Sequence, residues 1–173
     1  MNIKLKLGIL AAMSFSILMG SAQAIDTTIN ITGKVVASPC EFDGDSTLYI
    51  SLGQNIETLN LAAANTAGDW VPFSFAMKNC PLSTTNVVAT FSGTPDSPGS
   101  LSLYKNTADA TNIAVEVQSN DTAHRPLGDG QVWSIPRTPS NTALFPMRGR
   151  ILSKGGATAG LVAAVVNITF TYN

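Results

Sequence analysis

The sequence predicts an all-β protein, a sandwich or barrel. Three observations predict it: apolar and polar residues alternate in short runs, turn-forming clusters separate the runs, and no capped segment repeats apolar residues at the helical period. The first 24 residues stand apart from this pattern. Lys4 and Lys6 precede the apolar run LGILAAMSFSILMG, and small Ala22 and Ala24 follow it, which predicts a secretory signal peptide cut after Ala24. That apolar run is about 14 residues, short of the roughly 20 that a spanning helix needs, so a membrane anchor is the weaker reading. No later segment reads as a membrane helix, and no stable membrane insertion is expected.

Residues 25–37 carry the first strand pattern. Ile25, Ile29, Ile31 and Val35 share one parity, Asp26, Thr28, Asn30, Thr32 and Lys34 the other, and Gly33 interrupts the apolar face. Strand-like runs then recur at 46–53 (STLYISLG), 70–79 (WVPFSFAMKN), 86–93 (NVVATFSG), 101–106 (LSLYKN), 112–119 (NIAVEVQS), 131–135 (QVWSI) and 143–153 (ALFPMRGRILS). GTPDSPGS, PLGDG, PRTPSN and KGGATAG supply turns between the later runs. Residues 60–68 predict either a helical turn or a loop. Pro72 and Pro146 fall inside strand-like runs and predict an edge or a bulge at each. The last run, 161–172, places Val162, Ala164, Val166, Ile168, Phe170 and Tyr172 on one parity. Leu161, Ala163 and Val165 make its first half apolar on both faces, which predicts a strand that starts buried and ends one-sided.

Removing 24 residues from 173 leaves 149, the size of one domain, with no internal repeat and no sign of a second. Lys4 and Lys6 leave with the signal, so 8 basic face 11 acidic side chains, a balance of −3 that gives nucleic acid no basic patch. Cys40 and Cys80 are the two cysteines, and an even pair in an exported protein reads as one disulfide. An oxidising compartment disfavours the competing reading of two free thiols. A metal site lacks ligands, because His124 is the single histidine.

No catalytic constellation emerges. His124 lies among turn residues and reads as a surface histidine rather than a general base. Asp43 and Asp45 flank a glycine and read as a turn rather than a calcium loop. Arg148 and Arg150 share a strand face and suit either an acidic ligand or solubilising charges on an edge strand. Trp70 and Trp133 suit either a sugar-stacking platform or packing, with packing favoured. No cofactor is implied.

Several features in one order carry a resemblance. TINITGKVVASPC contains Gly33, NCP stands at 79–81, LG at 52–53 and FSG at 91–93, Gly160 is the fourteenth residue from the end, and Tyr172 is penultimate. With these, the chain resembles the chaperone-usher pilus subunits, and among them the minor tip-fibrillum subunits of type 1 fimbriae, over essentially all of residues 25–173. The resemblance implies an incomplete immunoglobulin-like β-sandwich, 38–173, that lacks its last strand and keeps an open groove. It implies that residues 25–37 are an extension whose donor positions Thr27, Ile29, Ile31, Gly33 and Val35 enter a neighbouring subunit. Pattern alone does not separate such an extension from the first strand of a complete sandwich.

The same resemblance assigns Gly160, Val162, Ala164, Val166, Ile168, Phe170, Tyr172 and Asn173 to a C-terminal strand recognised by a periplasmic chaperone. The other implied partners are an outer-membrane usher and neighbouring adhesin, minor or rod subunits. The expected location is the surface fimbrium of a Gram-negative bacterium, reached through the periplasm. The expected role is structural and not enzymatic: a tip adaptor linking adhesin to rod, with a major rod subunit as the alternative and a sugar-binding adhesin as a less favoured one.

Overall fold

A computed structural model describes Thr32, Lys34 and residues 38–173. The chain divides into two compact units, Met1–Lys34 and Val35–Asn173. Of the first, only Thr32 and Lys34 are described, and both are exposed. The signal peptide and the donor positions Thr27, Ile29, Ile31, Gly33 and Val35 lie outside the described residues.

The second unit is a sandwich of two antiparallel sheets. The larger contains β1 (Glu41–Phe42), β3 (Val71–Lys78), β8 (Ala143–Lys154), β6 (Ile113–Ser119) and β5 (Leu103–Lys105) in that order, with β2 (Ala64–Ala67) also on β8. The smaller is β7 (Val132–Pro136), β4 (Asn86–Gly93) and β9 (Val166–Tyr172). One 3-10 helix, Thr58–Leu61, precedes β2. Alternation explains how the sheets face each other. Val87, Ala89 and Phe91 of β4 are fully buried, and Ala143, Phe145 and Met147 of β8 meet them from the other sheet with Val115 and Val117 of β6. Each buried Phe or Val in this layer contributes about 1.5–3 kcal/mol.

The expected strands at 70–79, 86–93, 112–119, 131–135 and 143–153 correspond to β3, β4, β6, β7 and β8, and 101–106 is reduced to the three residues of β5. Both prolines find places where a missing N–H costs nothing. The Ala76 carbonyl accepts from Asp43 N–H, so even positions of β3 face the β1 side; β1 pairs only with Met77 and Lys78, leaving Pro72 on an open edge. Pro146 of β8 lies opposite Ser74, and β6 has already ended at the Ser119–Met147 pair, so its ring disturbs no ladder bond.

Three expectations change. Residues 46–53 are in no strand: among the described residues, 44–56 exchange no backbone hydrogen bond. Alternation reports which side chains seek cover, not whether a neighbouring strand exists. Residues 60–68 hold the expected helical turn only as the end of the 3-10 helix at Leu61 and then form β2, because the 12-residue β8 outruns β3 beyond Gly149 and offers its free edge, which β2 takes at Ala64–Lys154 and Ala67–Leu152. The first half of the last run is not buried on both faces either. Leu161 and Val165 are 74% and 69% exposed, since no layer covers the outer side of that sheet.

Cys40 and Cys80 form a disulfide, with Cα atoms 4.3 Å apart and a sequence separation of 40. Both are buried in the main core. Closing a loop of that length is worth about 4 kcal/mol in the chain-entropy model. Replacing both by serine is expected to lower unfolding stability by about 2–5 kcal/mol, read from paired urea titrations.

Candidate functional site

An open groove of about 1050 Å³ runs along the side of the sandwich. One wall is 46–53, the other is 160–170, and Phe73, Phe91, Val115, Met147 and Ile151 are among the side chains beneath. Each wall is built from an unpaired edge. In β9, Asn173 and Asn86 exchange both backbone hydrogen bonds, so odd-numbered residues of β9 bond β4 and even-numbered ones turn their N–H and C=O away from it. Val166, Ile168, Phe170 and Tyr172 therefore present backbone donors and acceptors to the groove, with no ladder partner among the described residues.

Side chains follow the same parity. From Leu161 to Asn173, odd positions are exposed and even ones half-buried. Val162, Ala164, Val166, Ile168, Phe170 and Tyr172 pack on the core with one side and remain uncovered on the other. Phe170 is the hub of an aromatic cluster, with ring centroids 5.5 Å from Phe145, 5.6 Å from Phe42 and 6.3 Å from Phe75. Burial raises the Tyr172 hydroxyl above its ordinary pKa. Across the groove, Leu48 and Ile50 are partly uncovered, while Tyr49 is 94% exposed on the opposite parity. The groove is thus apolar in side chains and unsatisfied in backbone, which is the chemistry of a site for one more strand.

Of the predicted C-terminal residues, Gly160, Val162, Ala164, Val166, Ile168 and Phe170 line this wall, while Tyr172 and Asn173 lie beyond it, Asn173 bonded to Asn86; the structure also shows what holds the part that β4 does not reach. Residues 161–165 are extended but outside the ladder. Leu161 and Ala163 turn their backbone groups to the 106–110 loop: Thr107 N–H donates to the Ala163 carbonyl at 2.9 Å and Ala110 N–H to the Leu161 carbonyl at 3.1 Å. Asn106 and Asp109 supply acceptors that a strand would have supplied. Sequence reading missed both, because Asn106 reads as the end of the 101–106 run and Asp109 falls in the gap before 112–119. Gly160 is needed for close approach, since a Cβ there would sit 2.7 Å from the Ala110 nitrogen. At Gly93, a Cβ would sit 2.7 Å from the Tyr104 ring and 2.8 Å from the Val165 carbonyl oxygen.

The remaining candidates resolve as structure. His124 is exposed in a turn where its N–H donates to Asp121. A hydrogen bond from the Ser119 hydroxyl, at 2.7 Å, leads the contacts that hold the Asp121 carboxyl below its ordinary pKa. Asp43 pairs with Lys78 at 3.0 Å. Trp133 is buried against Phe145. Arg148 and Arg150 are on a central strand, not an edge: their guanidinium carbons lie 4.1 and 4.2 Å from the Trp70 ring centroid, occupying the π surface a sugar would need. Arg150 also pairs with Glu116 at 2.7 Å, and Arg148 donates to Gln118 at 3.0 Å. Among the described residues, no group of three His, Cys, Asp or Glu side chains is placed to hold a metal.

Known proteins resemble this chain in sequence and in fold. The family model described as fimbrial protein matches residues 29–173. The chain is 36% identical over 170 residues to protein FimG of Escherichia coli, covering 97% of this chain and 98% of the relative. It is 35% identical over 169 residues to the S-fimbrial adhesin protein SfaS of a uropathogenic Escherichia coli strain, covering 98% and 99%. Among solved structures, the P pilus rod subunit PapA superposes with a TM-score of 0.62 at 18% identity, over 84% of this chain and all of that one. At that identity the likeness speaks to the fold, and the fold is the incomplete immunoglobulin-like sandwich.

Proposed function

The chain belongs to the fimbrial protein family, as a chaperone-usher pilus subunit, and from that premise we propose that it is a minor tip adaptor that polymerises by strand donation. The observation that carries the reading is the groove with two unpaired backbone walls. Residues 38–173 form the receiving domain and 25–37 the donated extension, after a signal peptide at 1–24 directs export to the periplasm. There a chaperone edge strand occupies the groove first, pairing with the even-numbered backbone groups of the C-terminal strand while basic chaperone residues hold the Asn173 carboxylate. At the outer-membrane usher the next subunit's extension takes its place, and the product is a surface fimbrium. The role is structural, without catalysis.

Similarity to FimG, over 98% of that relative's length, supports the adaptor reading over that of a rod subunit. The likeness to SfaS, which is named an adhesin, favours keeping sugar binding as the second reading. Immunogold labelling of intact filaments tests the adaptor role. Gold confined to the tip is the expected result, and gold along the whole shaft would make the protein a rod subunit.

A further inference from the structure

The groove wall is made in two ways, and the less regular way depends on two side chains that no strand pattern marks. From Val166 onward, β4 holds the wall. Before it, Asn106 does. Its Nδ2 donates to the carbonyls of Ala110 at 2.7 Å and Leu161 at 3.3 Å, and its Oδ1 accepts from the N–H groups of Ala163 at 2.8 Å and Ala108 at 3.1 Å. Asn106 is only 9% exposed, so these bonds exchange little with water. Asp109 Oδ1 accepts from Leu161 N–H. Between them the two side chains and the loop backbone satisfy Leu161 and Ala163 on one edge, and the strand pleat then turns Val162 and Ala164 toward the groove.

We propose that Asn106 and Asp109 are positioning residues for strand uptake: they set the register of residues 161–164, so that the incoming strand can pair with Val162 and Ala164 as well as with β9. This inference rests on the groove receiving a strand. It goes further in assigning one end of that groove to an asparagine and an aspartate acting as a surrogate strand, chosen for acceptor geometry and not for charge.

Site-resolved amide exchange tests it, using the chain from Ile25 onward refolded with a synthetic peptide of residues 25–37. In the unmodified chain the amides of Val162, Ala164, Ile168 and Phe170 should all be protected by the peptide. Asn106→Leu and Asp109→Ala should each lower protection at Val162 and Ala164 at least tenfold while leaving Ile168 and Phe170 unchanged. Asp109→Asn keeps the acceptor oxygen and should behave as the unmodified chain. A general loss of stability would lower all four amides together, and that result would overturn the inference, as would Asp109→Asn matching Asp109→Ala. If the peptide protects none of the four in the unmodified chain, the strand-receiving groove itself fails and this inference falls with it. If the variants equal the unmodified chain, only the inference fails.

Discussion

A chain carrying a copy of its own residues 25–37 after Asn173, joined by a flexible linker, is expected to be a soluble monomer melting about 10–20 °C above the unextended chain. The linker lets the added strand return antiparallel to β9, along the edge where even-numbered backbone groups have no partner. Ile29, Ile31 and Val35 would bury their side chains at about 1.5–3 kcal/mol each, and the half-covered row from Val162 to Tyr172 would be covered at the same time. Ordering the strand offsets part of this gain. A net gain of about 5 kcal/mol gives the stated shift for a domain of this size. The unextended chain, with an apolar slot and two bare edges, should aggregate. An unextended chain that is itself soluble, monomeric and as heat-resistant as the extended one would mean that the sandwich is already complete.

Gly33→Leu is expected to abolish filaments while leaving the groove-filled subunit's own melting temperature unchanged. Gly33 shares parity with Ile29, Ile31 and Val35, so a leucine there would be forced into the next subunit's groove. Overpacking of that kind costs about 1–3 kcal/mol, and it falls on the interface and not on the domain that carries the residue. Thr32, of opposite parity, is exposed, and Thr32→Leu should be mild. Filament counts from cells, beside thermal melts of each purified variant filled with donor peptide, separate the two accounts. A large loss of melting temperature in Gly33→Leu would instead place residues 27–35 inside their own domain.

How much of this was legible beforehand depended on whether an element's cause is local. β4 matches its expected bounds because Val87, Ala89 and Phe91 alternate without interruption and GTPDSPGS ends the run. The even-numbered row of the C-terminal strand was legible for the same reason. By contrast, β2 consists of Ala64, Asn65, Thr66 and Ala67, whose composition gives little strand signal; it exists because β8 is longer than β3. Residues 46–53 carry the pattern of a strand and lack a partner, so periodicity misread an available edge as a formed one. The exposure of Leu161 and Val165 was illegible because two-sided apolarity predicts cover on both sides, and only one exists. Asn106 and Asp109 act across more than 50 positions on Ala163 and Leu161, which no local window displays.

The disulfide has a mechanical consequence. If residues 25–37 are the donated strand, tension in the filament would enter each domain after residue 37, and the first element it would meet is β1, two residues long and far too short to carry a load. Cys40 stands just before β1 and is bonded to Cys80, just beyond the end of β3. Force therefore passes through a covalent link into β3, which pairs with β8 along seven residues from Val71 to Met77. Reducing the disulfide would move the load onto β1 and turn the base of each domain into the filament's weakest point under flow.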